Sequence, residues 1–292
     1  MSASGGTNVR SGNGRRTALV TGASRGIGKA AAIALAEAGL DVAITARTLH
    51  AGEGRDDSDV GDNRPVPGSL DETAEAIEAC GVRALPVVAD LMDHRSLEAA
   101  VATVLDRWGR IDVLVNNAIT TGPGGMVPFL ELTVEQLRTR LEANVVSQAV
   151  ITQAVLPSML AAGGGTIVNV TSAVAFTDPP GPVGQGGWGL GYAASKGAFH
   201  RMAGILAVEL GPQGIVAVNL EPGYVDTERQ IVNAAANGLE GHYQGAPPSV
   251  PGAVIAWLAT TPEGAARNGQ TVRAQKVALE QGLHPDWRAP RP

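Results

Sequence analysis

What this 292-residue sequence has little of already narrows its class. Cys80 is the sole cysteine, which excludes an intrachain disulfide and any cysteine-based metal site, and no metal is expected. The apolar runs break at Gly, Pro or charge well short of the ~18 residues a membrane-spanning helix needs, so no membrane partner is expected. The opening residues lack the apolar core of a secretory leader, and the expectation is a cytoplasmic protein. Positive charge is short as well. Lys and Arg number 22 against 28 Asp and Glu, a formal net charge of −6, which leaves no basic footprint for nucleic acid or anionic lipid. Charged residues make up only 17% against 44% hydrophobic, so the chain can bury a large core and is not disordered by default.

What is abundant is glycine, with 38 residues, which suits tight turns and close approach of backbone to a ligand. Met1 to Arg16 is rich in Ser, Gly, Asn and Arg and is expected to be a disordered tail (1–16), with one α/β domain over 17–280 and an irregular tail over 281–292. Ala18-Leu19-Val20 reads as a strand running into Thr21-Gly22-Ala23-Ser24-Arg25-Gly26-Ile27-Gly28, and helical periodicity follows to Gly39. Strand, glycine loop and helix in that order make a phosphate cradle, because the exposed amides and dipole at a helix start favour anionic charge.

The second strand, Val42 to Ala46, is followed by Arg47-Thr48 where dinucleotide folds that read a ribose 2′-hydroxyl carry an acid. With Arg25 as a second cation, the pattern predicts NADP(H) over NAD(H) by on the order of 10–100-fold, with NAD(H) as the alternative. The acidic run from His50 to Gly68 reads as a structureless loop, either ordered over the adenosine or simply solvated, and Glu53 or Asp56 could fold back onto Arg47. Ser69 caps the next helix, which stops at Gly81, and Arg83 to Val88 is the third strand. Asp90 after it could accept from an adenine amino group or serve as a plain turn residue.

Further on, a helix (Arg95 to Trp108) and a strand (Ile111 to Val115) lead to Asn116-Asn117-Ala118. A long helix, Thr133 to about Leu160, holds Asn144 at mid-helix, where Asn is a poor helix former. Strand Thr166 to Val170 delivers Thr171-Ser172, and Gly/Pro-rich sequence covers Asp178 to Gly191. Tyr192 and Lys196, four apart on the next helix, lie one turn from each other, so a cation stands near a phenol that can act as an acid/base group. Strand Ile215 to Leu220 precedes Glu221-Pro222-Gly223. Asp226 to about Gly245 reads as a helix with a mobile segment, Pro251 to Ala259 as a helix and Thr271 to Val277 as the last strand. Strands and helices alternate throughout, which predicts one Rossmann-type, doubly wound parallel sheet with helices on both faces.

The glycine loop, Asn116-Asn117-Ala118, Asn144, Ser172, Tyr192-x3-Lys196 and Pro222-Gly223 stand in one order, and from about Thr17 to Val277 the chain resembles the short-chain dehydrogenase/reductase family. The resemblance implies an oxidoreductase that moves a hydride between NADP(H) and a carbonyl or secondary alcohol. It assigns Tyr192 as proton donor or base, Lys196 to lowering the tyrosine pKa and holding the nicotinamide ribose, Ser172 to the substrate oxygen and Asn144 to a water linking Lys196 to solvent. Cofactor contacts fall to Gly22, Ser24, Arg25, Gly26, Ile27, Gly28, Arg47, Thr48, Asp90, Leu91, Asn117, Ala118, Tyr192, Lys196, Pro222, Gly223, Val225 and Thr227. A dimer or tetramer is implied, built on the helices of Asn144 and Tyr192. A cofactor-binding sensor or scaffold without turnover is the alternative, and the complete set of four argues against it. Four places depart from the family pattern: Ile119 stands where Asn-Asn-Ala is usually followed by Gly, the loop after the second strand and the segment from Ser172 to Tyr192 are long, and no Asp-Gly-Gly follows Val277. The flanks of the cleft (119–125, 174–188 and 224–243) are apolar and Gly-rich, which points to a neutral or lipophilic substrate.

Overall fold

The computed structural model describes residues 14–59, 62–236, 244–285 and 287. Most of the expected N-terminal tail, the 237–243 part of the segment expected to be mobile, and the end of the C-terminal tail lie outside these residues. Seven strands form one parallel sheet: β1 (Thr17–Thr21), β2 (Asp41–Ala46), β5 (Ala84–Val88), β6 (Val113–Asn116), β7 (Gly165–Val170), β8 (Ile215–Glu221) and β9 (Thr271–Arg273). Their order is β5-β2-β1-β6-β7-β8-β9. The chain steps outward from β1 to β2 and β5, then returns to the other side of β1 with β6. The crevice between β1 and β6 is therefore the switch point at which open α/β sheets bind ligands.

Burial follows the pleat. Along β1, Ala18 and Val20 enter the core on one face and Leu19 the core on the other, all at 1% exposure or less. The first core gathers α1 (Gly26–Glu37), α2 (Leu70–Glu78), α8 (Ser249–Thr260) and α10 (Ala274–Glu280). The second gathers α3 (His94–Trp108), α5 (Ser147–Ala161) and part of α6 (Leu190–Leu210). Each fully buried Leu or Ile side chain contributes about 1.5–3 kcal/mol relative to exposure. Strands apolar on both faces are what a parallel sheet covered by helices requires.

Three stretches differ from the sequence reading. The last strand ends at Arg273, and Ala274–Glu280 is helical. Ala274, Val277 and Ala278 are buried at helical spacing, which overrides the β-branched character of the stretch. The 50–68 segment is not structureless, since β3 (Arg55–Asp56) and β4 (Arg64–Pro65) pair antiparallel. The helix from Val134 to Ala161 is not uniform either: α4 (Val134–Leu141) and α5 are joined by a π-helical turn, Glu142–Val146. By length and composition this 28-residue stretch could cross a membrane, contrary to the sequence reading, but Ile151, Val155 and Met159 lie in the second core. The remaining helices are α7 (Glu228–Ala236) and α9 (Pro262–Ala265).

Candidate active site

The glycine loop is shaped from behind by Asn117. Its side-chain amide donates to the carbonyls of Thr21 and Gly22 at 2.9 and 3.1 Å, while the Thr21 hydroxyl accepts from the amides of Asn117 and Ala118, both at 3.0 Å. Gly22 has φ +68°, and a Cβ on Gly28 would stand 2.3 Å from the Gly22 carbonyl oxygen and 2.4 Å from the Asn117 amide nitrogen. Only glycine fits the turn at these two places. The amide of Gly26, at the start of α1, donates to the Glu228 carboxylate at 2.8 Å. A carboxylate thus stands where a phosphate oxygen of a dinucleotide would be received, and the cradle fits such an anion. Thr227 packs against Gly26, and Ser24 and Val225 are buried close by in sequence and space.

The two arginines expected to be free for a 2′-phosphate are already partnered. Arg47, directly after β2, pairs with Asp57 at 2.8 Å. Burial alone would lower the Arg47 pKa, but the hydrogen bond and charge of Asp57, with Asp90 beyond it, hold it above the ordinary value. Burial would likewise raise Asp57, yet Arg47 and the Thr121 hydroxyl keep it below the usual carboxylate range. Arg25 donates to the carbonyls of Pro67 and Gly68 at 2.8 and 2.9 Å and to the Thr48 hydroxyl at 3.4 Å. Asp90 is engaged as a turn residue, accepting from the Met92 amide at 2.9 Å. The acid that folds back onto Arg47 is therefore Asp57, not Glu53 or Asp56. Glu53 accepts from the His50 amide, and Asp56, fully buried, pairs with Arg229 of α7 at 3.3 Å.

The 50–68 segment also reaches the opposite wall of the cleft. The Thr121 hydroxyl donates to Asp57 at 2.7 Å, and Asp59 accepts from the amides of Gly124, Gly125 and Met126 at 2.8, 2.9 and 2.8 Å. Behind that wall stands Arg140 of α4, 4% exposed, donating to the carbonyls of Thr120, Thr121, Gly122 and Pro123 and lying 3.9 Å from Asp59. Guanidinium and carboxylate thus hold the carbonyls and amides of one loop. Sequence reading missed Arg140, Asp59 and Glu228. The available signal for Arg140 was a cation four residues before Asn144, one helical turn away.

The four residues expected to be catalytic come together at the carboxyl ends of β6 and β7. Ser172 follows β7 and stands beside Tyr192 near the start of α6. Asn144 sits in the π-helical turn, 3% exposed, accepting from the Thr120 amide at 2.9 Å and donating to the Ser195 hydroxyl at 3.2 Å. Lys196, 5% exposed, donates to the Val170 carbonyl at 2.8 Å, and burial lowers its pKa to about 8. Burial raises the Tyr192 phenol above its ordinary value, opposed by the Ser172 hydrogen bond and by the charge of Arg140. Lys196 is directed to the Val170 carbonyl at the end of β7, and the charge that opposes the rise of the phenol is that of Arg140. At the far rim Gln275 donates to the Pro222 and Tyr224 carbonyls, and the Gly223 amide to Glu221. Leu91 accepts a hydrogen bond from Ser147 at the head of α5.

A parallel sheet with its switch point against a glycine cradle, and a Ser-Tyr-Lys group on the same edge, define a dinucleotide-dependent class of enzyme. Residues 16–55 and 64–237 match the family model described as short chain dehydrogenase, and the chain belongs to that family of oxidoreductases. It is 31% identical over 259 residues to a 3-oxoacyl-[acyl-carrier-protein] reductase of Synechocystis sp., covering 88% of this chain and 94% of that protein. It is 35% identical over 223 residues to an uncharacterized NAD-dependent oxidoreductase of Mycobacterium tuberculosis, covering 73% and 72%. Its fold is similar to that of 3-oxoacyl-[acyl-carrier protein] reductase from Brucella melitensis in complex with NAD, with TM-score 0.73, 28% identity, and 90% and 96% of the two chains covered.

Proposed function

We propose that the chain transfers a hydride between a nicotinamide dinucleotide and a neutral carbonyl or secondary alcohol, with Tyr192 as the proton-transferring group. The observation that carries this reading is the half-buried Tyr192, set beside Ser172 and followed one helical turn later by the buried Lys196. The dinucleotide, when bound, supplies or accepts the hydride. Gly22, Gly26, Gly28 and Thr227 would hold its phosphates, and Lys196 its nicotinamide ribose. In the reducing direction Tyr192 gives its proton to the substrate oxygen while Ser172 donates a hydrogen bond to the same atom. Burial brings the Lys196 pKa down to about 8, within reach of a proton change at working pH. Asn144 holds the wall loop through Thr120 and the head of α6 through Ser195, and in that way fixes the distance across the cleft.

Phe176, Met126 and Tyr224 project exposed apolar surface on segments flanking Tyr192, which supports an uncharged, lipophilic substrate. The Mycobacterium relative described as NAD-dependent and the Brucella structure holding NAD support NAD(H) as a cofactor. The sequence-level preference for NADP(H) requires Arg47 to leave Asp57. The test of the reading is Tyr192→Phe, which removes one hydroxyl. Turnover on a ketone panel is expected to fall by roughly 10²–10⁴-fold while fluorescence titration still registers dinucleotide binding. Undiminished turnover in that variant would sink the assignment.

A further inference from the structure

We infer that Asp57, carried on the 50–68 segment, is the residue that sets cofactor choice, holding Arg47 away from a 2′-phosphate and selecting NAD(H) over NADP(H). The inference rests on the proposed dinucleotide chemistry and adds a specificity-determining residue to it.

Three observations carry it. Arg47 immediately follows β2, the place from which dinucleotide folds read the ribose 2′ position, and its guanidinium is 2.8 Å from the Asp57 carboxylate. Asp57 is fixed from both sides, by Arg47 and by the Thr121 hydroxyl at 2.7 Å, so it spans from the β2 edge of the crevice to the segment after β6. A phosphate arriving at Arg47 would have to displace an anchored carboxylate or lie against it, and like charges at that range repel. Arg25 offers a phosphate little, since its Nε and Nη2 already donate to the carbonyls of Pro67 and Gly68. The third observation is where the acid comes from. The family match runs over 16–55 and 64–237, so Asp57 falls in the stretch 56–63 that the match leaves out. An acid at the strand end is replaced here by one delivered ten residues later on an added hairpin.

The pair is partly exposed, with side-chain exposures of 55% for Arg47 and 33% for Asp57, so solvent screening keeps the effect toward the lower end for charged hydrogen bonds. The expected size is about tenfold in relative affinity.

The experiment is fluorescence titration of NADH and NADPH, which reads binding without turnover. Wild-type protein is expected to bind NADH at least as tightly as NADPH. Asp57→Asn should move the NADPH/NADH affinity ratio about tenfold toward NADPH, and adding Arg47→Ala should take that gain away. Glu53→Gln, on the same segment but bonded only to the His50 amide, should leave the ratio where it was. Thermal melts establish that each variant is folded. An unchanged ratio in folded Asp57→Asn would overturn the inference. If that variant does not fold, the wild-type ratio still decides, because NADPH binding about tenfold tighter than NADH would overturn it. Wild-type protein that binds neither dinucleotide would defeat the proposed function, and the inference with it.

Discussion

Burial takes the Lys196 ammonium out of water and leaves it the Val170 carbonyl, which is why its pKa falls to about 8 from 10.5. Between those values the unfolded chain holds a proton that the folded chain has released. Stability therefore rises with pH across that window, and the full penalty, roughly 3 kcal/mol, is present below it. Lys196→Met keeps the volume and removes the titration. The stability difference between wild type and this variant, measured by urea unfolding, should shift in favour of wild type from about pH 7 to about pH 9.5. A difference that stays constant would mean the ammonium is solvated. At this scale the placement of Tyr192, Lys196, Ser172 and Asn144 in the fold was legible from the order of strands and helices. Arg140 and Asp57 were not. Their roles depend on which loop folds against them, and that is a long-range outcome with no local periodicity.

Among the elements, the 50–68 hairpin is tied to the core by Val66 and to the walls of the cleft by carboxylates. Asp59 accepts three backbone amides at once, and an asparagine there would offer one acceptor oxygen and bring two unwanted donors. Asp59→Asn should speed hydrogen exchange at the amides of Gly124, Gly125 and Met126 by about tenfold, the equivalent of one charge-assisted bond lost. Exchange at wild-type rates would show that the loop is held by Arg140 alone. The run of acids was visible in the sequence, but its polarity argued equally for a solvated loop. The π-helical turn was also hidden, since adding one residue to a turn leaves the apolar pattern of the flanking helices intact. The mid-helix asparagine was the only local sign of it. α10 was misread because Val272 and Val277 carry strand propensity while burial follows the helical period.

For the whole molecule, the sheet and its helices on both faces followed from alternating periodicities, whereas the attachment of the hairpin to both sides of the crevice did not. The α6 surface leaves Ile205 51% and Val208 79% exposed, and Val146 on the neighbouring turn 41%. Such an apolar face on the two long helices supports assembly with a second copy. Light scattering at micromolar protein should give a mass of at least twice 29.8 kDa, and Ile205→Asp with Val208→Asp should return it to the single-chain value. A wild-type species of 29.8 kDa would exclude the interface.

The hairpin also has a history within each molecule's synthesis. Asp57 and Asp59 meet Thr121 and Gly124–Met126, and Asp56 meets Arg229, all of which leave the ribosome after the hairpin does. At about 5–20 residues per second, roughly ten to thirty seconds separate translation of Asp56 from that of Arg229. During that interval the same carboxylates that later bind the crevice walls keep the nascent segment hydrated, and so poor in the exposed apolar surface that drives a half-made parallel sheet to aggregate.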